Sequence, residues 1–215
     1  MSKLSEMIAT LCPNGVEYKR IGSFAECFSG ATPKTGVKQY WDNGTIPWMS
    51  SGEVNQQIVT HVEKRITKEG YDSCSTRMVP VNSVVIALAG QGKTRGLVAL
   101  TRVDLCTNQS LCAIVPNASV LSEYLYYYLQ SRYQDLRAVS SGDGTRGGLN
   151  LKMVRDYLIP VPPLPIQREI VQILDNFANL TAELTANLTA ELAKRKKQYE
   201  HYRDMLLNFE GGGQI

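Results

Sequence analysis

Four prolines in six residues, Pro160-Val161-Pro162-Pro163-Leu164-Pro165, are followed by a stretch from Ile166 to Phe209 that holds neither proline nor glycine. The prolines exclude a helix or a central strand, because each fixes φ and removes a backbone donor, and they read as a rigid extended joint. The stretch beyond permits one uninterrupted helix, with Pro165 suited to its first position. The joint thus divides the chain into residues 1–164, a helical segment 165–209 and a glycine-rich tail 210–215. Apolar side chains at Ile166, Ile170, Ile173, Phe177, Leu180 and Leu184 alternate steps of four and three, and the alternation returns at Tyr199, Tyr202, Leu206 and Phe209. That is the seam of a coiled coil. About 45 residues at ~1.5 Å each make a rod of roughly 65 Å, whose seam needs a partner helix. The expected dimerisation face is Ile170, Ile173, Phe177, Leu180, Leu184, Leu188, Leu192, Tyr199 and Leu206.

Residues 1–164 have another texture. Short β-type runs (46–49, 57–62, 83–89, 96–101 and 110–115) are broken by Gly, Pro and Asn. A helix is expected over Ser122 to Gln134 with Ser122 as its N-cap, and a shorter one over Leu151 to Tyr157. The fold class is therefore α/β (α+β), an irregular and mostly antiparallel sheet followed by one long coiled-coil helix. Met1 to Leu11 lacks the apolar core of a signal peptide and reads as an amphipathic helix. With no apolar run long enough for a bilayer, a cytoplasmic chain without membrane contact is expected. Five scattered cysteines and two histidines show no zinc or redox spacing, so no metal site is expected. The net charge is +4 for residues 1–164 and −1 for residues 165–215, which tilts the first part toward a polyanionic partner.

Within the helix lies an internal repeat: Leu180-Thr-Ala-Glu, Leu184-Thr-Ala-Asn, Leu188-Thr-Ala-Glu, then Leu192-Ala-Lys-Arg. Adding or removing one unit changes the rod by ~6 Å and ~40°. That repeat, together with the ordered motifs around it, resembles the specificity subunits of Type I restriction–modification systems. The motifs are Leu11-Cys-Pro-Asn-Gly-Val-Glu-Tyr, Ser29-Gly-Ala-Thr-Pro-Lys, Ile46-Pro-Trp-Met-Ser-Ser-Gly-Glu53, Thr107-Asn-Gln-Ser, and Ile159-Pro-Val-Pro-Pro-Leu-Pro-Ile-Gln-Arg-Glu-Ile-Val171. The resemblance implies a target-recognition domain that binds double-stranded DNA and a spacer helix that sets the gap between two half-sites. It implies a non-catalytic subunit working with a methylation subunit and a restriction subunit, with S-adenosylmethionine, ATP and Mg on those partners and no cofactor here. Family members usually carry two recognition domains and two helices. One of each implies either a homodimer, which is the favoured expectation, or the N-terminal half of a longer subunit.

The residues expected to contact DNA lie in loops. Thr32, Lys34 and Lys38 belong to a polar loop; Ser50, Ser51 and Glu53 follow the Pro-Trp run, Glu53 as an acceptor for a cytosine amine. Lys93, Thr94 and Arg95 end a glycine-rich loop; Asn108 and Gln109 offer amides; Arg146 lies in Ser140 to Gly148. A nucleotide-binding or nuclease reading of Gly92-Lys93-Thr94 is the alternative. It lacks the first glycine of a P-loop, Ala87 standing there, and a helix afterwards. Trp41 and Trp48 read as core anchors, and the tyrosines Tyr124 to Tyr128 as core packing.

Overall fold

A computed structural model of the chain describes residues 2–90, 94–139 and 148–208. In chain order the elements begin α1 (Lys3–Leu11), β1 (Tyr18–Arg20), β2 (Ala25–Ser29), β3 (Ile46–Met49), β4 (Ile58–Val59), β5 (Lys64–Ile66), α2 (Lys68–Asp72), β6 (Met78–Val79) and β7 (Val84–Ala87). They continue β8 (Val98–Thr101), β9 (Leu105–Thr107), β10 (Leu111–Pro116), α3 (Ser122–Ser131), α4 (Tyr133–Val139), α5 (Leu151–Asp156), β11 (Leu158–Pro160) and α6 (Leu164–Leu207). Among the described residues, six strand pairings are antiparallel and two, β3 with β9 and β4 with β8, are parallel. The class is mixed α/β with antiparallel-dominated sheets and a long C-terminal helix, as expected.

The compact unit, Met1–Val171, is layered. A five-stranded sheet, ordered β2-β10-β7-β8-β4, packs against a four-stranded one, ordered β5-β3-β9-β6. Alternation along the strands sorts the core into two faces. Val84, Ile86, Leu100 and Ile114 meet Leu125 and Leu129 of α3, Leu136 of α4 and Val154 of α5. Val85, Ala87, Ala99 and Ala113 meet Met49, Val79 and Leu105 of the second sheet. Because both faces of the larger sheet are covered, β7 is buried at all four residues and reads as an unbroken apolar run.

Three expectations about the helices change. Ser122 is not the cap of α3: Leu121 holds that position, and the Ser122 hydroxyl donates to the Asn82 carbonyl. The single helix expected there divides at Arg132 into α3 and α4. The long helix starts one residue early, at Leu164, which places Pro165 second; its missing N–H still falls among the groups a helix start leaves without an intrahelical partner.

Gln167, on the first turn of α6, is completely buried. Its Oε1 accepts from the Leu121 N–H at 2.8 Å, and its Nε2 donates to the carbonyls of Ser119 at 3.0 Å and Pro162 at 2.8 Å. One side chain therefore ties together the proline joint, the start of α3 and the start of α6. The Tyr124 hydroxyl adds a bond to the Pro160 carbonyl at 2.9 Å. Ile166 is buried and Ile170 packs against the helix-covered core, so Ile170 belongs to the compact unit rather than to a seam.

The second unit, Gln172–Ile215, is described over the remainder of α6. There Phe177, Leu180, Leu184, Leu188, Leu192 and Leu206 are each between 60 % and 70 % exposed. No helix among the described residues is long and apolar enough to cross a membrane.

Candidate nucleic-acid interface

Topology gathers the loops. β3 and β9 run parallel, so the segments leaving their C-terminal ends, from Ser50 and from Asn108, emerge side by side, and the Asn108 N–H donates to the Met49 carbonyl at 3.1 Å. β2 pairs antiparallel with β10 through Ser29 and Cys112, which brings the chain after Ser29 beside the Asn108 turn. There the Thr32 hydroxyl donates to Gln109 Oε1 at 2.6 Å. The end of β7 reaches the same turn, the Leu88 N–H donating to the Ser110 carbonyl at 2.8 Å, and Leu149 donates in turn to the Leu88 carbonyl at 3.1 Å. Thr32, Ser50, Ser51, Asn108, Gln109, Thr94 and Arg95 thus stand on loops that converge at one end of the sheets. Lys93 and Arg146 lie outside the described residues.

Close backbone approach makes this possible at Gly30. A Cβ there would sit 1.8 Å from the Thr107 carbonyl oxygen, so only glycine lets the loop cross β9.

The side chains divide into those that hold loops and those that face out. Glu53 holds. Its Oε2 accepts from the Ser50 N–H at 2.7 Å and the Ser50 hydroxyl at 2.9 Å, and its Oε1 accepts from the Glu63 N–H at 2.9 Å. With the residue 9 % exposed, the carboxylate is turned into the fold, which corrects the expectation that it meets a cytosine amine. The spacing Ser50-x-x-Glu53 is a capping box, a signal present in the sequence. Asn108 also holds, its Oδ1 accepting from the Ser110 N–H at 3.1 Å. The Thr94 hydroxyl reaches the Ala89 carbonyl at 3.5 Å across the β7–β8 connection. That connection leads into a strand, whereas a P-loop leads into a helix.

Two indoles anchor the Thr32–Lys38 loop. Trp48, buried, donates to the Ala31 carbonyl at 3.0 Å, and Trp41 donates to the Lys34 carbonyl at 3.3 Å. Their rings meet edge to face at 5.2 Å. Lys34 and Lys38 remain exposed. Beside Trp41, a shallow concavity of about 360 Å³ is lined by Thr35, Lys64 and Arg65. Lys64 and Arg65 sit on the edge strand β5, and the Arg65 guanidinium donates to the Thr45 carbonyl at 2.9 Å. Both cations were missed by sequence reasoning, since two adjacent basic residues before an isoleucine carry no motif. Among the described residues no cluster of His, Cys, Asp and Glu is placed to hold a metal ion.

Comparison with known proteins gives the family. Residues 13–194 match the family described as the Type I restriction modification DNA specificity domain, and the chain belongs to that family. It is 36 % identical over 196 residues to the Type I restriction enzyme EcoR124I/EcoR124II specificity subunit of Escherichia coli, covering 90 % of this chain and 48 % of that protein. It is 30 % identical over 173 residues to the MjaIX specificity subunit of Methanocaldococcus jannaschii, covering 78 % and 39 % respectively. The chain therefore spans about half the length of these relatives. Among solved structures, the HsdS subunit from Thermoanaerobacter tengcongensis superposes with a TM-score of 0.60 at 21 % identity, over 84 % of this chain and 44 % of that one. A chain of a type I R-M system, solved for its complex assembly and conformational transition, gives 0.67 at 20 % identity, over 91 % and 48 %. Both likenesses establish the fold.

Proposed function

We propose that this chain reads DNA sequence for a type I restriction–modification enzyme and catalyses nothing itself. The observation that carries the reading is the convergence of the Thr32, Ser50, Thr94 and Asn108 loops at one end of a rigid double sheet. Lys64, opposite Trp48 on β5, stands near that end, and a basic concavity with Arg65 lies beside Trp41 next to the loop of Lys34. Phosphate contacts would fix the register on the duplex, and polar side chains on the loops would reach base edges.

The remainder of α6 is the spacer. Its apolar face, from the half-buried Ile173 through the exposed Phe177, Leu180, Leu184, Leu188 and Leu192 to Tyr199 and Leu206, needs a partner helix, which a second copy supplies. A two-fold dimer has two reading heads and suits an inverted-repeat site with a fixed gap. The N-terminal half of a longer subunit would supply the second helix from its own chain. In either arrangement the complex acts in the cytoplasm. A methylation subunit with S-adenosylmethionine and a restriction subunit with ATP and Mg supply the chemistry.

Co-expression with the methylation partner, followed by methylome sequencing of the host, tests this. The expected result is adenine methylation at one bipartite motif, with inverted-repeat halves for the dimer. Absence of any methylation motif, with no methyltransferase recovered alongside the chain, overturns the proposal.

A further inference from the structure

Gln57 stands between the 3-10 turn Ser51–Gln56 and β4 with φ +63° and ψ −55°. L side chains rarely adopt that backbone conformation, and glycine holds it freely. The pose is locked from both sides: the Gln57 N–H donates to the Val54 carbonyl at 3.2 Å, and the Gln57 carbonyl accepts from the Leu100 N–H at 2.7 Å. A position that geometry suits to glycine is therefore filled by an exposed amide.

That amide borders a recess of about 190 Å³. Val54, Leu97 and Val98 wall it, and Gly96 joins it to the segment carrying Thr94 and Arg95. Asn55, Gln130 and Tyr133 complete the rim. Two of the rim amides each donate one N–H to a neighbour, Asn55 to the Gly52 carbonyl at 2.8 Å and Gln130 to the Tyr126 hydroxyl at 3.1 Å. Their oxygens are left as acceptors. None of the recess residues carries a charge, so it suits a neutral planar group with both donors and acceptors and one apolar edge.

We infer that Gln57 is a specificity-determining residue that reads an A·T base pair, its amide meeting the adenine edge while the valine and leucine walls receive the thymine methyl. A glutamine amide pairs in bidentate fashion with adenine N6 and N7, and an apolar surface suits the methyl group. The inference rests on the DNA-reading proposal and names the residue that would read one position of the site.

The experiment uses the full chain in its methyltransferase complex, with wild type and Gln57→Gly compared on the motif that methylome sequencing defines. Q57G is expected to melt at or above the wild-type temperature. Its discrimination at one A·T position should fall roughly 5- to 150-fold, the range of a lost bidentate contact. Replacing that adenine by 7-deazaadenine should weaken wild-type binding and leave Q57G insensitive. A folded Q57G complex that discriminates at every position as wild type does overturns the inference alone. A wild-type complex with no sequence preference overturns the DNA-reading proposal and this inference with it.

Discussion

Replacing Gln167 removes three hydrogen bonds at a completely buried site, to Leu121, Ser119 and Pro162. All three partners are backbone groups, which cannot rotate away toward other partners. Each lost bond of this kind costs about 1 kcal/mol net, and an orphaned buried group adds to that. Gln167→Ala should therefore lower the stability of the compact unit by about 3–4 kcal/mol, cavity included. Gln167→Met fills most of the same volume but can neither donate nor accept strongly. It isolates the hydrogen-bond part and should still cost about 3 kcal/mol. With a urea dependence of about 2 kcal/mol per molar, the midpoint should fall by roughly 1.5 M, read by far-UV circular dichroism. If Q167M unfolds within about 0.5 kcal/mol of wild type, the three bonds do not hold the joint and the reasoning fails.

Gly30→Ala should lose at least about 3 kcal/mol or fail to fold, because the new Cβ would collide with the Thr107 carbonyl, which is backbone and cannot yield; an unchanged thermal midpoint would contradict it. Burial pushes the Cys106 thiol from 9.0 up to about 11 and the Tyr124 phenol from 10.0 up to about 12. Since the unfolded chain ionises first, stability is full below pH 9.0 and is lost as pH rises toward about 12, which urea midpoints across that window will register. Leu184→Glu with Leu188→Glu should abolish self-association in sedimentation equilibrium, since each buried leucine contributes about 1.5–3 kcal/mol to a seam; a dimer as tight as wild type would count against it. Lys64→Ala with Arg65→Ala should reduce the slope of log affinity against log salt by about 2 without shifting the preferred sequence.

What the sequence made legible follows from how far each signal reaches. β3 is found at its predicted bounds, β7 and β8 fall within predicted runs, and β10 overruns its own by one residue at Pro116, because a strand covered on both faces writes itself as a local apolar block. The long helix is equally plain. β1 and β11 are three residues each, and their pairing of Tyr18 with Pro160 joins opposite ends of the domain, which no local pattern records. Gln167 looks like a surface polar residue until its three partners are known. The loops carrying Thr32, Ser50 and Asn108 were identifiable by composition. Which of their side chains face outward was not, since Glu53 and Asn108 serve the backbone while Lys64 and Arg65, on an edge strand, had no signature. The left-handed backbone at Gln57 had none either, because glycine or asparagine is the residue such a turn would announce.

The division between holding and facing residues has a consequence for how such a domain can change what it reads. Glu53, Asn108, Trp41 and Trp48 spend their polar atoms on backbone groups, so the loop paths persist whatever the outward residues are. Lys34 and Lys64 are exposed beside the small cluster of Trp41, Trp48 and Ile66, and under the DNA-reading proposal their charge would set affinity through phosphate neutralisation, a term indifferent to sequence. Gln57 is different in kind, neutral and fixed in a conformation that another side chain would occupy with the same strain. If the two proposals hold, substitution there should change a base preference with little effect on the fold, and substitution at Lys64 should change affinity with little effect on preference. A salt titration and a sequence-selection experiment would therefore report on separate side chains of the domain, base preference at Gln57 and the grip on the backbone at Lys64.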